Sequence, residues 1–427
     1  MFLDEVVAAQ HRGEARGIPS VCSAHPDVLK EALHLAPRFG LPALIEATCN
    51  QVNQFGGYTG LTPSMFAAWI RDLAAETDTP PEGMILGGDH LGPSVWQDES
   101  SQSAMHKAVD LVRDYVLAGF TKLHLDCSMR LADDSPSGPE PSLIAERTAE
   151  LAAAAESFTQ GNLRFVIGSE VPLPGGAIRE AEPASVTSVD TVSTSLDLHR
   201  QAFHGRGLHS AWERVVAVVV QPGVEFGDDF VLAYDPDSAE PLRRFIETQP
   251  VVYEAHSTDY QSPASLRELV RDHFAILKVG PALTFAFREA VFALAAIETE
   301  LLPASERSNV PAVLEQAMRQ DPHHWKKYYL GSPAEQAFKR QYSRSDRIRY
   351  YWNRPEVQAA LGQLMRNMQS RRIPLELWLE HAQQPAAALA ERGAELGPRA
   401  IISETIAGRL RAYFEACRPD TGLPKMG

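Results

Sequence analysis

The run GMILGGDHLGP at residues 83–93 is the stretch from which the fold is best interpreted. It opens with an apolar segment at residues 84–86, which predicts a buried β-strand. The flanking glycines disfavour a helix and let backbone or ligand approach closely. Asp89 and His90 follow side by side, so a base and a candidate metal ligand are delivered together. The pattern predicts a catalytic site at the end of this strand.

Short apolar strands alternate with longer amphipathic segments throughout residues 1–296, which predicts parallel strands joined by helical crossovers. Eight such strands, each followed by a helix-length gap, predict an α/β fold of the (β/α)8 TIM-barrel type. The predicted strands are residues 18–23, 42–48, 83–88, 120–126, 163–170, 215–220, 251–255 and 275–279. An open doubly wound sheet is the alternative, but the chain lacks a Gly-x-Gly-x-x-Gly that opens a helix and a Gly-x-x-x-x-Gly-Lys-Ser/Thr motif.

Residues 297–427 lose the strand pattern and predict a helical extension packed on the barrel. Its helices are predicted at residues 310–319, 335–341, 355–369, 374–381 and 401–417. The segment YSRSDRIRYYW at residues 342–352 is the richest in cationic and aromatic residues. Such a segment closes over an anionic ligand, forms an interface, or is a solvated helix with an aromatic anchor on the barrel. We favour the solvated helix.

The net charge of −15 comes without a Lys/Arg cluster longer than short runs such as Arg371-Arg372. This balance argues against nucleic acid or an acidic membrane surface as the main partner, although backbone amides and one or two cations would still hold a small phosphorylated ligand. The four cysteines form no C-x-x-C pair, and no apolar run reaches the ~18 residues of a membrane span. The first residues lack the pattern of a signal peptide. We therefore expect a reduced, soluble, cytoplasmic protein.

Polar residues repeatedly follow the predicted strands, at the end of a barrel where active sites are built. His124 lies two residues before Asp126, on the same side of its strand, and is equally compatible with a satisfied core histidine. Lys278 is the obvious cation for a phosphate or an enediolate, whereas a Schiff base would require a depressed pKa. The candidate catalytic residues are Asp89, Asp126 and Lys278, and the candidate substrate contacts are His25, Asn53, Gln54, Ser257, Thr258 and Asp259.

Long contiguous runs carry a family resemblance, at residues 21–26, 45–48, 50–59, 87–93, 167–176, 221–226, 253–261, 273–285 and 345–352. They resemble the D-tagatose-1,6-bisphosphate aldolase subunit GatZ/KbaZ-like family over essentially the whole chain, including the extension. The resemblance implies a role in the catabolism of a phosphorylated ketohexose. The family also carries an older label as a tagatose-6-phosphate kinase, but these residues offer no cradle for a nucleoside triphosphate, so we do not expect kinase activity.

The order of the strand ends is more remotely similar to class II zinc-dependent bisphosphate aldolases. These barrels carry a His-x-Asp-His motif after the third strand, in which the Asp moves a proton at the reacting hydroxyl and the last His binds zinc. The similarity implies that Asp89 is the general base and His90 a metal ligand. Gly87 stands where the first histidine of that motif would be.

The remaining zinc ligands of the class II pattern are only partly retained. His256 matches the histidine that closes the seventh strand, whereas Gln221 stands in place of the histidine that closes the sixth. The similarity thus implies an altered divalent-metal site, with zinc as the expected ion, in which Glu170 or Glu225 supplies a carboxylate. The candidate metal ligands are His90, His256, Glu170, Gln221 and Glu225.

Two hypotheses of different classes follow. In the first, the chain is a metal-assisted lyase or epimerase that acts on a phosphorylated ketohexose, with Asp89 moving the hydroxyl proton. In the second, as the family resemblance implies, the chain is a non-catalytic subunit that stabilises and activates a separate class II aldolase chain. In both we expect the protein to work as an oligomer.

Overall fold

A closed, eight-stranded parallel barrel is the centre of the structure, a computed structural model that describes residues 1–159, 161–168 and 186–418. Each strand pairs with the next along the chain, and the last pairs with the first. The strands are β1 Ile18–Val21, β2 Ala43–Thr48, β3 Met84–Leu91, β4 Lys122–Leu125, β5 Arg164–Ile167, β6 Val215–Val220, β7 Val252–Ala255 and β8 Phe274–Val279. The predicted fold class is confirmed.

Helices surround the barrel. The first ten are α1 Phe2–His11, α2 Pro26–Leu35, α3 Pro63–Glu76, α4 Ser101–Ala118, α5 Pro141–Glu156, α6 Val189–Gly205, α7 His209–Trp212, α8 Pro236–Ile246, α9 Pro263–Arg271 and α10 Pro281–Leu301. A small antiparallel hairpin pairs Glu225–Phe226 with Val231–Leu232 after β6. Within the described ranges, no helix combines the length and apolar character needed to cross a membrane.

The strands form where the sequence is apolar on both faces. β6 reads VVAVVV and every one of its residues is buried, because a barrel strand is covered by helices outside and by side chains inside. β3 is longer than predicted and continues through Asp89 and His90 to Leu91. The candidate dyad therefore lies inside the strand rather than after it.

The extension contains α11 Val310–Gln320, α12 Pro333–Tyr342, α13 Pro355–Gln369, α14 Leu375–His381, α15 Gln383–Glu391 and α16 Pro398–Cys417. The five predicted helices are present, and α15 was not predicted. α16 returns to the barrel wall, where it packs against α10, α2 and α9. The predicted division at residues 296/297 falls within α10, a continuous helix, so the boundary between the barrel and the extension stays a prediction.

Candidate active site

Three imidazoles face one another at the carboxyl end of the barrel. His90 lies on β3, His124 lies on β4, and His256 follows β7 directly. The ring centroids are separated by 5.0 Å for His90–His124, 5.0 Å for His90–His256 and 5.2 Å for His124–His256. Together with Asp89, these buried residues offer ligand atoms that all lie within 4.8 Å of one another. We refer to these four residues as the His/Asp cluster.

A bulge in β3 brings both members of the sequence dyad to the cluster. In a regular strand, adjacent side chains point to opposite faces, so Asp89 and His90 would diverge. Here the pairing of β3 with β4 shifts register between Gly88 and Leu91, and His90 adopts a left-handed backbone conformation with φ 48°. A bulge of this kind re-aims side chains, which explains how two neighbouring residues serve one site.

Each imidazole of the cluster is held by a carboxylate. The nitrogen–oxygen distances are 2.8 Å for His90 Nδ1 and Asp126 Oδ2, 2.9 Å for His124 Nδ1 and Asp89 Oδ1, and 2.9 Å for His256 Nε2 and Glu254 Oε1. Carboxylate partners of this kind are usual behind metal-binding histidines, because they set the tautomer and the ring orientation. The buried Nε2 of His124, by contrast, has no hydrogen-bond partner. A buried nitrogen lacking a partner, within a set of imidazole and carboxylate donors, fits a divalent metal ion.

The pKa values of His90 and His256 shift in opposite directions because their surroundings differ. Burial lowers the pKa of His256 to about 3, and the positive charge of Lys278 acts in the same direction. Burial also works against the charged form of His90, but the carboxylates of Asp89 and Asp126 outweigh it and raise its pKa. His256 is therefore neutral at physiological pH, as a metal ligand must be.

Asp89 is an ionised carboxylate with one oxygen committed and the other open. Its Oδ1 contacts His124 Nδ1 and lies 2.5 Å from the ammonium of Lys278. Its Oδ2 has longer contacts, 3.8 Å each to Cys22 Sγ and His90 Nε2. Burial alone would raise the pKa of Asp89, but the nearby His90, Lys278 and His124 hold it well below its usual range. Asp89 is therefore ionised, and Oδ2 is its oxygen without a close partner.

Below the cluster, two lysines and two glutamates alternate inside the barrel. Lys122 Nζ lies 2.7 Å from Glu46 Oε1 and 2.5 Å from Glu254 Oε2. Lys278 Nζ lies 2.9 Å from Glu46 Oε2 and 3.3 Å from Glu254 Oε1. We call these four residues the charge ring. Burial would lower the pKa of Lys278, but the surrounding carboxylates raise it well above its ordinary value, which argues against a Schiff-base role.

Three residues of the His/Asp cluster, Asp89, His90 and His256, line a cavity of about 430 Å3. Barrel residues form its floor, and residues of the extension, among them Arg347, Arg349 and Tyr350, line it as well. A cavity of this size, with charged groups at its floor, suits a small polar ligand.

Comparison with known proteins assigns the chain to a family. Residues 3–418 match the family described as D-tagatose-1,6-bisphosphate aldolase subunit GatZ/KbaZ-like. The chain belongs to this family. One curated relative, the D-tagatose-1,6-bisphosphate aldolase subunit GatZ of Klebsiella pneumoniae, is 46% identical over 425 residues, covering 98% of this chain and 100% of the relative. A crystal structure from Sinorhizobium meliloti 1021, described as a probable tagatose 6 phosphate kinase, shares 44% identity with a TM-score of 0.87 and covers 94% of this chain and 100% of its own.

This GatZ/KbaZ-like chain places seven of the predicted site residues on the cavity: Asp89, His90, Asp126, His256, Ser257, Asp259 and Lys278. The other described candidate substrate contacts do not line it. Asn53 shapes a turn through bonds to Cys49 and Gly57, and Gln54 donates to the Lys107 carbonyl. Thr258 donates to the Lys278 carbonyl oxygen. His25 lines a small adjoining pocket, where burial lowers its pKa to about 3.

The predicted metal ligands divide in the same way. His90 and His256 join the cluster, whereas Gln221 Oε1 accepts from the Gly223 amide and Glu225 Oε1 accepts from the Phe226 amide. Both side chains are thus used in their own loop, and Glu170 lies outside the described residues. The third histidine is His124, for which sequence reasoning left the role open. The sequence did contain one signal for this role: His124 lies two residues before Asp126, so both side chains are on the same face of the strand.

The space around Gly87 explains one departure from the class II aldolase motif. A Cβ at Gly87 would lie 2.6 Å from Glu46 Cγ, so the charge ring occupies the space that the first histidine of the aldolase motif would need.

The favoured interpretation of residues 342–352 as a solvated helix is wrong. Asp346 and Arg347 are only 2% and 4% exposed, and the short 3-10 turn Arg347–Tyr350 lines the cavity.

Proposed function

We propose that this chain inverts the C4 stereocentre of a phosphorylated ketohexose by breaking and re-forming the C3–C4 bond, which interconverts tagatose 6-phosphate and fructose 6-phosphate. The observation that carries the proposal is the His/Asp cluster, in which the buried Nε2 of His124 has no hydrogen-bond partner, while Asp89 and His90 line the cavity. The name of the Klebsiella relative supports a tagatose phosphate as the substrate class.

His90, His124 and His256 are the residues that would hold a divalent metal ion. Imidazole nitrogens with an adjacent open position are typical of catalytic zinc sites, so zinc is the ion we propose. A divalent ion there would polarise the substrate carbonyl and stabilise the negative charge that develops on its oxygen. The carboxylates of Asp126 and Glu254 orient two of these imidazoles and act through them, as positioning residues.

Asp89 moves the proton. Its open Oδ2 removes the proton from the C4 hydroxyl, the C3–C4 electron pair passes towards the carbonyl, and C4 becomes an aldehyde. When the aldehyde turns over and the bond re-forms on its other face, Asp89 returns the proton to the C4 oxygen, so no atom is gained or lost. The ammonium of Lys278, 2.5 Å from Asp89 Oδ1, favours the ionised carboxylate before the proton is removed and after it is returned.

Purified protein incubated with zinc and tagatose 6-phosphate, in the absence of any companion chain, is expected to produce fructose 6-phosphate. The product is detected by coupling to an isomerase and a dehydrogenase. Absence of product from the metal-loaded protein contradicts the proposal. No ATP is added, because the chain lacks a Gly-x-x-x-x-Gly-Lys-Ser/Thr motif and we do not propose the kinase activity named for the Sinorhizobium structure.

Replacing His124 by alanine is expected to abolish stoichiometric metal binding. The imidazole supplies one of three histidine donors, and a buried alanine offers no replacement. Metal content per chain, measured by mass spectrometry after equilibration with zinc and gel filtration, should fall from near one to near zero.

His199→Ala is the matched control, because His199 is also fully buried but lies on α6, outside the cluster. It should retain metal. Equal metal content in the His124→Ala variant and the wild type would show that His124 is a structural histidine only.

A second candidate function is supported by the word "subunit" in the name of the 46%-identical relative. In this case the chain stabilises and activates a separate class II aldolase without turning over substrate itself. Co-expression with such an aldolase should then give a complex that survives gel filtration, and the aldolase alone should lose activity faster on warming. Turnover by the isolated, metal-loaded chain would count against this alternative.

A further inference from the structure

Two arginines of the extension line the cavity that the His/Asp cluster opens into. Arg347 and Arg349 belong to the 3-10 turn Arg347–Tyr350, far along the chain from the barrel strands. Arg347 is only 4% exposed, and Arg349 is partly buried. The extension therefore contributes positive charge to a site whose floor is built by the barrel.

The charges of Asp346 and Asp259 act on Arg349 from a distance, but among the described residues neither guanidinium forms an ion pair with a carboxylate. The neighbouring Arg340 and Arg354 each pair with one, Glu315 and Asp321 respectively. Arg347 instead donates from Nη1 to the His324 carbonyl and stacks on the Tyr328 ring, and its buried Nε has no partner. Burial lowers the pKa of Arg347, since no carboxylate offsets the loss of water. A buried cation in this state is stabilised by a ligand anion.

Neutral groups hold the arginines in place. Arg349 Nη1 donates to the carbonyls of Ser345 and Asp346, and its Nη2 donates to the Tyr350 hydroxyl at 2.9 Å. Carbonyl and hydroxyl partners orient a guanidinium without cancelling its charge. The pair is thus preorganised for a ligand that carries the balancing negative charge.

The usual phosphate cradle of a barrel is already occupied in this chain. In many barrels, amides after the seventh and eighth strands bind the substrate phosphate. Here Asp259 Oδ1 accepts from the amides of Gly280 and Ala282, at 3.1 and 2.7 Å, where α10 begins. Asp259 is 3% exposed, so its carboxylate fills the position and repels a second anion. A substrate phosphate has to be bound elsewhere.

We infer that Arg347 and Arg349 form the phosphate subsite of the cavity and bind the phosphate monoester of the substrate. A phosphate monoester carries close to two negative charges at neutral pH, which suits two guanidiniums that form no ion pair with a carboxylate. Arginine suits this role because its planar fork donates two parallel hydrogen bonds to phosphate oxygens. The ketose end then extends to the His/Asp cluster at the floor. This inference rests on the proposed function, because it assigns the phosphate of the same substrate.

The test replaces Arg349 by glutamine and by lysine and measures binding by calorimetry of the full chain. Glutamine at this position is expected to weaken binding of tagatose 6-phosphate by about 10–100-fold, the size of a lost charged hydrogen-bond pair. Lysine, which keeps the charge but not the fork, should lose less. Binding of unphosphorylated tagatose should be unchanged. Inorganic phosphate should compete with tagatose 6-phosphate in the wild type and compete more weakly in the glutamine variant, which separates recognition of the phosphate from recognition of the sugar.

Arg344→Gln is the matched control. It removes one positive charge from the same segment, but Arg344 is not among the residues lining the cavity, and its stacking partner is Tyr260. Its affinity for tagatose 6-phosphate should match the wild type. The inference is overturned if Arg349→Gln weakens the binding of tagatose and of tagatose 6-phosphate equally. It is also overturned if Arg349→Gln and Arg349→Lys both bind tagatose 6-phosphate like the wild type. If the phosphate-specific loss occurs but the wild type shows no turnover, the subsite stands and the proposed epimerisation fails.

Discussion

Asp89→Asn is expected to lower kcat for the interconversion of tagatose 6-phosphate and fructose 6-phosphate by ~10²–10⁴-fold, the usual contribution of a positioned general base. Asparagine has nearly the same shape, and its carbonyl oxygen still accepts the hydrogen bond that His124 Nδ1 makes to Asp89 Oδ1. It cannot take a proton from the C4 hydroxyl. The KM should change little, because the change acts on the transition state.

Metal content distinguishes two roles of Asp89, since its carboxylate also belongs to the His/Asp cluster. Retention of one zinc per chain, together with the fall in kcat, supports the base. If zinc and kcat fall together, Asp89 is a ligand and the base assignment is wrong. Asp133→Asn serves as the control, because Asp133 accepts a hydrogen bond from the Ser101 amide at the surface, outside the cavity. It should leave both quantities unchanged.

The barrel was predictable because its determinants are local. Each strand is a short apolar run and each gap has the length of a helix, so the alternation alone implied parallel strands. β6 shows why this works, since a strand covered on both faces has a continuous apolar sequence. The bulge in β3 was not predictable, because it depends on how β3 pairs with β4. Without that bulge, Asp89 and His90 would point to opposite faces of the strand, because they are neighbours in the sequence.

The site was predicted in part, and the missing part is long-range. The role of His124 was left open because the sequence of its own strand does not reveal that His90 and His256 place their imidazoles about 5 Å from it. The charge ring did leave a signal, as the following charged residues lie within apolar strands: Glu46, Lys122, Glu254 and Lys278. Such residues are rarely buried unless paired, and two of each sign would have suggested a ring.

The arginines of the extension were harder to place. Contacts distant in sequence hold their segment on the barrel: the Tyr260 hydroxyl donates to the Arg344 carbonyl, and the Ser343 hydroxyl donates to Asp228. Periodicity reports only on neighbours three or four residues apart, so it favoured a solvated helix for a segment that is buried. The arginines would be cationic both in a solvated helix and in a buried segment, and only the tertiary contacts distinguish these two arrangements.

Lys122→Met is expected to lower the free energy of unfolding by ~3–5 kcal/mol, the usual effect of removing one partner of a buried ion pair. Lys122 is fully buried and lies 2.7 Å from Glu46 and 2.5 Å from Glu254. Methionine fills a similar volume, so packing is largely retained. The loss arises because two buried carboxylates then share a single cation, Lys278. Chemical denaturation followed by circular dichroism gives the difference.

The explanation requires that the loss be electrostatic, and a second substitution tests this. Adding Glu46→Gln to Lys122→Met removes one of the two carboxylates, so the double variant should be more stable than the sum of the two single losses predicts. Strict additivity would mean that the charge ring does not act as a unit. Lys30→Met provides the surface comparison, because its ion pair with Glu76 is exposed and should be worth less than about 1 kcal/mol. If Lys30→Met lowers the free energy of unfolding as much as Lys122→Met does, burial is not the cause of the loss, because only Lys122 is buried inside the barrel.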